Sequence, residues 1–463
     1  MPSIGVFTIA SKNYLAYVRV LMESVARVHP EYQLFLCLAD QVDGYFDSEN
    51  EPYTIIETER LDIPCFNDLT LRYDIMEFNT AVKPFMFRWL FDNTDLDAVI
   101  YLDPDIRIFS RFVNLESLLN DNTSIVLTPH ITQSLTDDKS PSDYNMLQAG
   151  VFNLGFIAAR RCDETLEFMR WWGERLQTQC VNDLQSNLFV DQKWCDLAPC
   201  LLENLKVLRE VGYNVAYWNM AQRKITQNES NQWLVNGLPL VFFHFSGINP
   251  LDKTIVSKHQ NRFTWTDVAD IQPLFEDYND ALMKAEWKNT CSFPYSYDFL
   301  PGGIHLHRVI RLQYRSEYQN SIKFEMKDVS QYLDNACNNP SLDLPEDDDV
   351  YISKLMHLIY RLRTDLQTVF SMDTAIGRKQ FASWFQEAGP REYGLPDKFT
   401  QQHLIRLEKD QYLQKNYWST FAYQSMKSLE PTFIKLSKSL PDGLRNSLKR
   451  QWGKLRSQTL SGF

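Results

Sequence analysis

The chain has 463 residues, 44% of them hydrophobic and 13% aromatic, with a formal net charge of −12. That length exceeds what one hydrophobic core organises, so two or more domains are expected, and the acidic balance argues against general nucleic-acid binding. No apolar run is long enough for a membrane-spanning helix, and the first residues lack the basic region of a signal peptide. The eight cysteines (Cys37, Cys65, Cys162, Cys180, Cys195, Cys200, Cys291 and Cys337) include no C-x-x-C pair and read as free thiols in a reducing cytoplasm.

Ile4–Ala10 reads as a first strand, followed by a loop at Ser11–Tyr14 and a helix over Leu15–Val28, with Val18, Leu21, Met22 and Val25 at helical spacing. Leu34–Ala39 reads as a second strand ending at Asp40, which makes a β-α-β start of the nucleotide-binding kind. No glycine-rich turn follows the first strand, which counts against a dinucleotide fingerprint, a P-loop and a nucleotidylyltransferase loop. Tyr53–Glu57 is expected as a third strand and Phe78–Asp92 as one helix. In that helix Lys83 either reaches a phosphate or sits as a solvated surface lysine.

The apolar run Ala98–Leu102 reads as a buried parallel strand and ends in Asp103-Pro104-Asp105. Residues two apart in extended chain share a face, Pro104 ends the ladder, and open α/β sheets bind ligands at the carboxyl ends of their strands. Two hard oxygen ligands there suit Mg²⁺ or Mn²⁺, leaving positions for water and phosphate. The bland alternative is a surface turn, where Asp and Pro are common.

Ser124–Thr128 is a further short strand, and the polar stretch Pro129–Met146 is expected to be irregular and mobile over the site. Within the apolar stretch Gln148–Ala159, Gly150 and Gly155 permit close approach of a ligand or backbone, and Asn153 offers the donor and acceptor that sugar hydroxyls use. Asp163–Gln179 reads as a helix. Asp191-Gln192 closes an apolar run, and Tyr213–Asn219 is aromatic and polar, as both sugar-binding edges and cores are. His244 ends the run Leu240–Phe243; such a histidine is usually a core residue, but imidazole also suits Mn²⁺ alongside carboxylates. Gly247 beyond it opens a backbone N–H to a phosphate.

Taken in order, Tyr101-Leu102-Asp103-Pro104-Asp105, Phe152-Asn153-Leu154-Gly155, Asp191-Gln192 and His244-Phe245-Ser246-Gly247 resemble the Y-L-D-x-D, F-N-x-G, D-Q and H-F-x-G motifs of GT-A glycosyltransferases. The likeness is greatest to the retaining family-8 type, which includes bacterial lipopolysaccharide galactosyl- and glucosyltransferases and glycogenin, and it covers roughly residues 1–265. It implies an α/β fold of GT-A type, with a mixed, mostly parallel sheet between helices. It also implies a metal-dependent enzyme that moves a sugar from a nucleotide-sugar, a UDP-sugar first, to a cell-surface polysaccharide, lipopolysaccharide or lipid-linked acceptor with retention.

By position, the resemblance implies that Asp103, Asp105 and His244 ligate Mn²⁺ or Mg²⁺. Asn153 and Asp191 would hold the donor sugar, with Gln192 on the face opposite the leaving group. Thr8, Ala10, Ser11 and Tyr14 would line the nucleotide pocket, and Gly247 would approach the diphosphate. Two departures stand out. Ser11-Lys12 replaces an acid of the first loop, which leaves the nucleobase open. Pro250 stands where the family has a lysine, so either Lys253 or Lys258 would supply that phosphate contact from a shifted loop, or the contact is absent. Competing readings are an inverting transferase with Asp191 as general base, and a non-catalytic GT-A-like scaffold or carbohydrate-binding protein.

The expected organisation is a GT-A domain over 1–290, an extension and acidic linker over 291–349, a helical domain over 350–426 and a basic amphipathic tail over 427–463. Helices are expected at Tyr351–Phe370, with Ile352, Leu355, Met356, Ile359, Leu362 and Leu366 on one face, and around Phe381–Ala388 and Gln402–Phe421. The tail carries eight Lys/Arg against two acids, with Leu436, Leu440, Leu444, Leu448, Trp452 and Leu455 at helical spacing. That pattern suits an anionic membrane surface or docking on the helical domain. A cytoplasmic protein, peripheral on the inner face of the cell membrane, is expected, with a nucleotide-sugar donor and a glycan or glycolipid acceptor as partners.

Overall fold

The computed structural model describes residues 2–300, 303–318, 329–341, 343–344 and 350–399. The helix expected at Gln402–Phe421 and the basic tail from 427 lie outside the described residues, as do residues 345–349 of the acidic linker. The described residues fall into two compact units, one running through Gly303 and the other made of Ile304–Tyr318 with the residues from Val329 on.

In the first unit the chain runs β1 (Ile4–Ala10), α1 (Leu15–Val28), β2 (Gln33–Leu38), β3 (Thr54–Glu57), α2 (Phe66–Arg72), α3 (Ile75–Ala81), α4 (Lys83–Asn93), β4 (Ala98–Leu102), β5 (Ile106–Ile108), α5 (Val113–Asn120), β6 (Ile125–Pro129), α6 (Asp143–Ala149), β7 (Phe152–Arg160) and α7 (Asp163–Gln179). Then come β8 (Asn182–Asp183), β9 (Leu188–Phe189), α8 (Ala198–Leu201), β10 (Leu205–Val207), β11 (Ile225–Gln227), β12 (Trp233–Val235), β13 (Leu238–Pro239), β14 (Phe242–His244), α9 (Gln272–Lys284) and α10 (Trp287–Thr290).

Seven strands form the central sheet in the order β10-β6-β7-β4-β1-β2-β3. β7 runs antiparallel to both β4 and β6, while the remaining pairs are parallel. This is the α/β class that was expected, a mixed and mostly parallel sheet between helices. The strands are apolar on both sides because both faces are covered. Phe7, Ile9, Val99 and Tyr101 point to one face, where Phe85, Leu90, Met169 and Trp172 of α4 and α7 pack. Val6, Ile100 and Leu102 point to the other, against Leu21 and Val25 of α1 and Leu115 and Leu119 of α5. Each such side chain contributes roughly 1.5–3 kcal/mol when fully buried, so the register of the sheet is strongly specified.

Three local departures from the sequence expectations matter for the site. The single helix expected over Phe78–Asp92 is two, because Pro84 lacks an N–H and sits at the start of α4 rather than inside a helix. The apolar stretch from Gln148 becomes strand only at Phe152; Ala149 ends α6, and Gly150 follows with φ +119°. The stretch expected to be irregular through Met146 gains α6 at its end, set by a capping box between Ser142 and Asn145. A register shift between Leu127 and Pro129 interrupts the β6–β7 ladder; Thr128 accepts from Asn214 outside the sheet, and His130 meets Asn153 of β7. Beyond residue 290, Tyr295 is buried in the first unit's core, so the segment expected to begin an extension packs here.

The second unit is helical, as expected: α11 (Arg308–Glu317), α12 (Val329–Asn338), α13 (Lys354–Leu362), α14 (Thr364–Val369), α15 (Ala375–Glu387) and α16 (Gly389–Tyr393). The helix expected over Tyr351–Phe370 breaks at Arg363, which is extended (φ −120°, ψ 98°). Ile352, Leu355, Met356, Ile359 and Leu366 are buried, but Leu362 is exposed at that break. Among the described residues no helix is long and apolar enough to cross a membrane.

Candidate active site

The end of β4 builds the centre of the site. The Asp103 N–H donates to the Gly155 carbonyl (2.8 Å), and the Ile106 N–H donates back to the Asp103 carbonyl (3.1 Å). Asp103, Pro104 and Asp105 therefore form the turn that follows the carboxyl end of β4 and leads into β5. β5 pairs antiparallel with β14, and Ile106 lies opposite His244. That pairing, with the Phe245 N–H donating to the Asp105 carbonyl (2.8 Å), carries the imidazole to the two carboxylates. His244 Nε2 lies 2.9 Å from Asp105 Oδ1 and 3.6 Å from Asp103 Oδ2.

These three side chains fit a divalent cation. The Asn214 amide donates through Nδ2 to Thr128 Oγ1 (2.8 Å) and to Asn153 Oδ1 (3.0 Å). Its Oδ1 is thereby the acceptor that faces His244 Nδ1 (3.3 Å). Nδ1 then carries the proton facing Asn214, and Nε2 is the ring atom left to face the two carboxylates, where it takes up either a proton or a cation. Three electron-pair donors aimed at one point call for a positive charge between them. Burial works against a charged His244, yet Asp105 and then Asp103 outweigh it and hold the pKa above its ordinary value. Two carboxylates and one imidazole suit Mn²⁺ or Mg²⁺.

The strand behind this centre leaves no spare room. A Cβ on Gly155 would lie 2.4 Å from His244 Cε1, 2.7 Å from Asp103 Oδ2 and 2.9 Å from Asn153 Oδ1. Only glycine allows that approach. Asn153 Oδ1 also accepts from the Gly155 N–H (3.2 Å), and its Nδ2 meets His130 Nε2 (3.2 Å). Trp218 packs edge-on against both His130 and His244, with ring centroids 5.4 and 5.1 Å apart.

Tyr101 donates its hydroxyl to Asp103 Oδ1 (2.5 Å). Lys83 sits over the Tyr101 ring, 4.2 Å from its centroid, and is neither of the things its sequence suggested. It is buried, pairs with Asp191 Oδ2 at 2.6 Å and donates to the Leu154 carbonyl at 2.9 Å. The cause is the apolar start of α4, which packs against the sheet and takes the ammonium with it. Asp191 is correspondingly enclosed, its side chain 3% exposed; burial pushes its pKa up, and Lys83 offsets only part of that. Both ends of the Gln192 amide bond backbone: Oε1 accepts from the Leu154 N–H (3.0 Å) and Nε2 donates to the Ala149 carbonyl (2.8 Å).

Beside the carboxylates opens a cleft of about 470 Å³, a size typical of small-molecule sites. Ala10, Ser11, Tyr14, Asp103, Asp105, Gly247 and Lys258 line it. Thr8 lies buried on β1 with its hydroxyl unpartnered. Lys253 is exposed and does not line the cleft. The sequence reading missed Tyr17, Asn79 and His259, which also line it; only the stacking of Tyr17 on Tyr14, three residues apart on adjoining turns, had a local signal. The turn at Ser11–Tyr14 is held from below by Lys12. Its ammonium contacts Asp40 Oδ1 (2.9 Å), the Gln41 carbonyl (3.2 Å), Asp43 Oδ2 (3.4 Å) and Ser296 Oγ (2.5 Å).

A second cluster of possible ligands, His29, Glu31 and Glu116, does not suit a metal. The Phe112 N–H donates to His29 Nε2 (3.1 Å), so Nδ1 carries the proton and points it at the carboxylates. Arg111 already neutralises both acids.

No protein-family model matches the chain. The chain is similar to the uncharacterized protein YfnF of Bacillus subtilis (strain 168), 24% identical over 277 residues, which is 58% of this chain and 89% of that protein. It is similar also to YfnD of the same organism, 23% identical over 312 residues, 65% of this chain and 95% of that one. Among solved structures, it resembles the galactosyltransferase LgtC bound to donor and acceptor sugar analogs, with 15% identity, a TM-score of 0.39, and coverage of 62% of this chain and 99% of that one. It also resembles the glycosyltransferase GlyE of Streptococcus pneumoniae TIGR4, with 14% identity, a TM-score of 0.34, and coverage of 63% and 66%. At such identities and scores, function has to be read from the site's own residues.

Proposed function

We propose that the protein is a metal-dependent glycosyltransferase of the retaining family-8 type. It would move a sugar from a nucleotide-sugar, a UDP-sugar first, to a glycan or lipid-linked acceptor of the cell surface, working in the cytoplasm and at the membrane's inner face. The observation that carries this reading is the convergence of Asp103, Asp105 and His244 beside a cleft that Ala10, Ser11 and Tyr14, at the end of β1, also line. A bound Mn²⁺ or Mg²⁺ supplies Lewis-acid stabilisation of the charge that develops on a leaving diphosphate.

The chain's own groups do the rest. Asp103, Asp105 and His244 hold the cation, and the Tyr101 hydroxyl and Asn214 amide fix the orientation of two of these ligands. The stacked Tyr14 and Tyr17 offer a face for a nucleobase, with Ser11 beside them. Gly247 and Lys258 present an N–H and a cation to the phosphates. Asn153 is buried behind the carboxylates with both amide ends partnered, by His130, Gly155 and Asn214, and orders the strand there. Asp191 is buried and ion-paired, which weighs against its use as the general base of an inverting reaction, since a base must reach the acceptor hydroxyl. We assign Gln192 a positioning role, because its amide ties β7 to the end of α6.

Calorimetric titration of UDP into the full chain tests the reading. Binding is expected with Mn²⁺ and lost in EDTA. Asp103→Ala and Asp105→Ala are each expected to abolish metal-dependent binding and sugar transfer while the circular dichroism spectrum stays unchanged. Failure of UDP, GDP, CDP and dTDP alike to bind, with or without metal, would favour a scaffold instead.

A further inference from the structure

The loop that follows His244 departs from the family spacing at Pro250, and its return brings Ser257-Lys258-His259 back to the cleft. We propose that His259 is a further binding residue of this site, whose imidazole N–H donates to the diphosphate of the nucleotide donor beside Lys258. This rests on the nucleotide-sugar reading above.

His259 lines the same cleft as Asp103, Asp105 and Gly247 and is exposed there. Its backbone N–H donates to Ser257 Oγ (3.3 Å), and no hydrogen bond to either ring nitrogen occurs among the described residues. An imidazole held at a site wall with both nitrogens free is available to a ligand. Its position is nonetheless fixed. Gly247 has φ +75°, and a Cβ there would lie 2.5 Å from His259 Cδ2, so the glycine is what admits the ring. Tyr217 flanks it, with centroids 6.0 Å apart.

The backbone beneath is pinned as well. The Lys258 N–H donates to the Gly247 carbonyl (3.0 Å), and Ser257 Oγ donates to the Ser246 carbonyl (2.9 Å). Farther along, the Asn261 N–H donates to the Ser140 carbonyl (3.1 Å), and the Arg262 guanidinium pairs with Asp137 (2.7 and 2.8 Å) and the Pro141 carbonyl (2.7 Å). The choice of diphosphate follows from charge. Phosphate oxygens only accept hydrogen bonds, and they must lie near the metal ligands. Of the site's two lysines, Lys83 is taken up by Asp191. On the Gly247 wall the side-chain donors are Lys258, the His259 N–H and the Ser246 hydroxyl, and of these only Lys258 and His259 carry nitrogen donors.

The test uses the full chain in Mn²⁺. Binding of UDP, GDP, CDP and dTDP is measured by calorimetry, and binding of the matching free nucleoside by saturation-transfer NMR, for the wild type, His259→Ala and His259→Phe. Phenylalanine keeps the ring and its packing and removes the N–H. Both variants are expected to bind the diphosphate roughly tenfold more weakly or worse, as loss of a hydrogen bond to a charged group implies, with nucleoside binding and thermal midpoint unchanged. Wild-type diphosphate affinity in His259→Phe would overturn the proposal, leaving the ring a packing role. Equal losses for nucleoside and diphosphate would overturn it as well. If the wild type itself binds none of the diphosphates, the glycosyltransferase reading fails first and the role of His259 falls with it.

Discussion

At the scale of single residues, the site depends on how closely backbone and ligands approach at Gly155. A methyl group there has nowhere to go, because His244, Asp103 and Asn153 are all within 3 Å of its position. Gly155→Ala must therefore move one of the proposed metal ligands. A misplacement of about 1 Å costs on the order of 10²-fold in rate, so transfer activity is expected to fall by about that factor, with metal-dependent UDP binding weakened in parallel. Unchanged activity with a shifted melting curve would mean that the strand, not the ligands, absorbs the strain. Asp103, Asp105 and His244 were legible in the sequence because each stands where an apolar strand ends, a place where such residues need a reason. Their supports were not. Asn214 lies 30 residues from His244 and 61 from Asn153, and no local pattern records that they meet. Lys83 was misread for the same reason: its partner Asp191 is 108 residues away, so nothing nearby signals burial.

At the scale of elements, strand and helix positions in the first unit follow from apolar periodicity, and α1 and α7 begin and end where the pattern does. What periodicity does not encode is the pairing of two three-residue strands, β5 and β14, which is the step that brings His244 to Asp103 and Asp105. The polar stretch after β6 was expected to be mobile. Its 137–141 part is instead clasped to the 257–262 segment through Arg262, whose side chain is 5% exposed. The Arg262 guanidinium also holds the Asp137 carboxyl at a pKa of about 2, so the clasp is ionised throughout the working pH range. Arg262→Ala is expected to raise the KM for the donor several-fold while changing kcat little, since the segment carrying Lys258 and His259 loses an anchor but no chemical group. Steady-state kinetics at fixed acceptor checks this; a fall in kcat alone would place the clasp in the chemical step.

For the molecule as a whole, one buried imidazole sets a pH dependence. Burial pushes His130 down to about 4 from an ordinary value of 6.5, so the folded chain binds fewer protons there than the unfolded one. Its contribution is fully present above pH 6.5 and is lost as pH falls toward 4, a change of ~3 kcal/mol. Urea unfolding at pH 7 and at pH 4.5 should show that loss. His130→Gln, which still offers an acceptor to Asn153, should flatten the slope across this range, and an unaltered slope would assign acid sensitivity to other groups. The second unit was legible as helical, but its sequence carries no chemistry that names a role.

The Lys12 ammonium joins two distant parts of the first unit. It holds the turn that faces the cleft and, through Ser296 and the Asp40 carboxylate, the stretch near residue 296. The two are thermodynamically linked. A ligand that steadies the turn makes the distant stretch harder to detach, and detachment of that stretch weakens the ligand's hold by the same factor. A chain nicked or truncated ahead of residue 296 would thus keep every residue of the proposed metal site and still bind a ligand of the cleft more weakly.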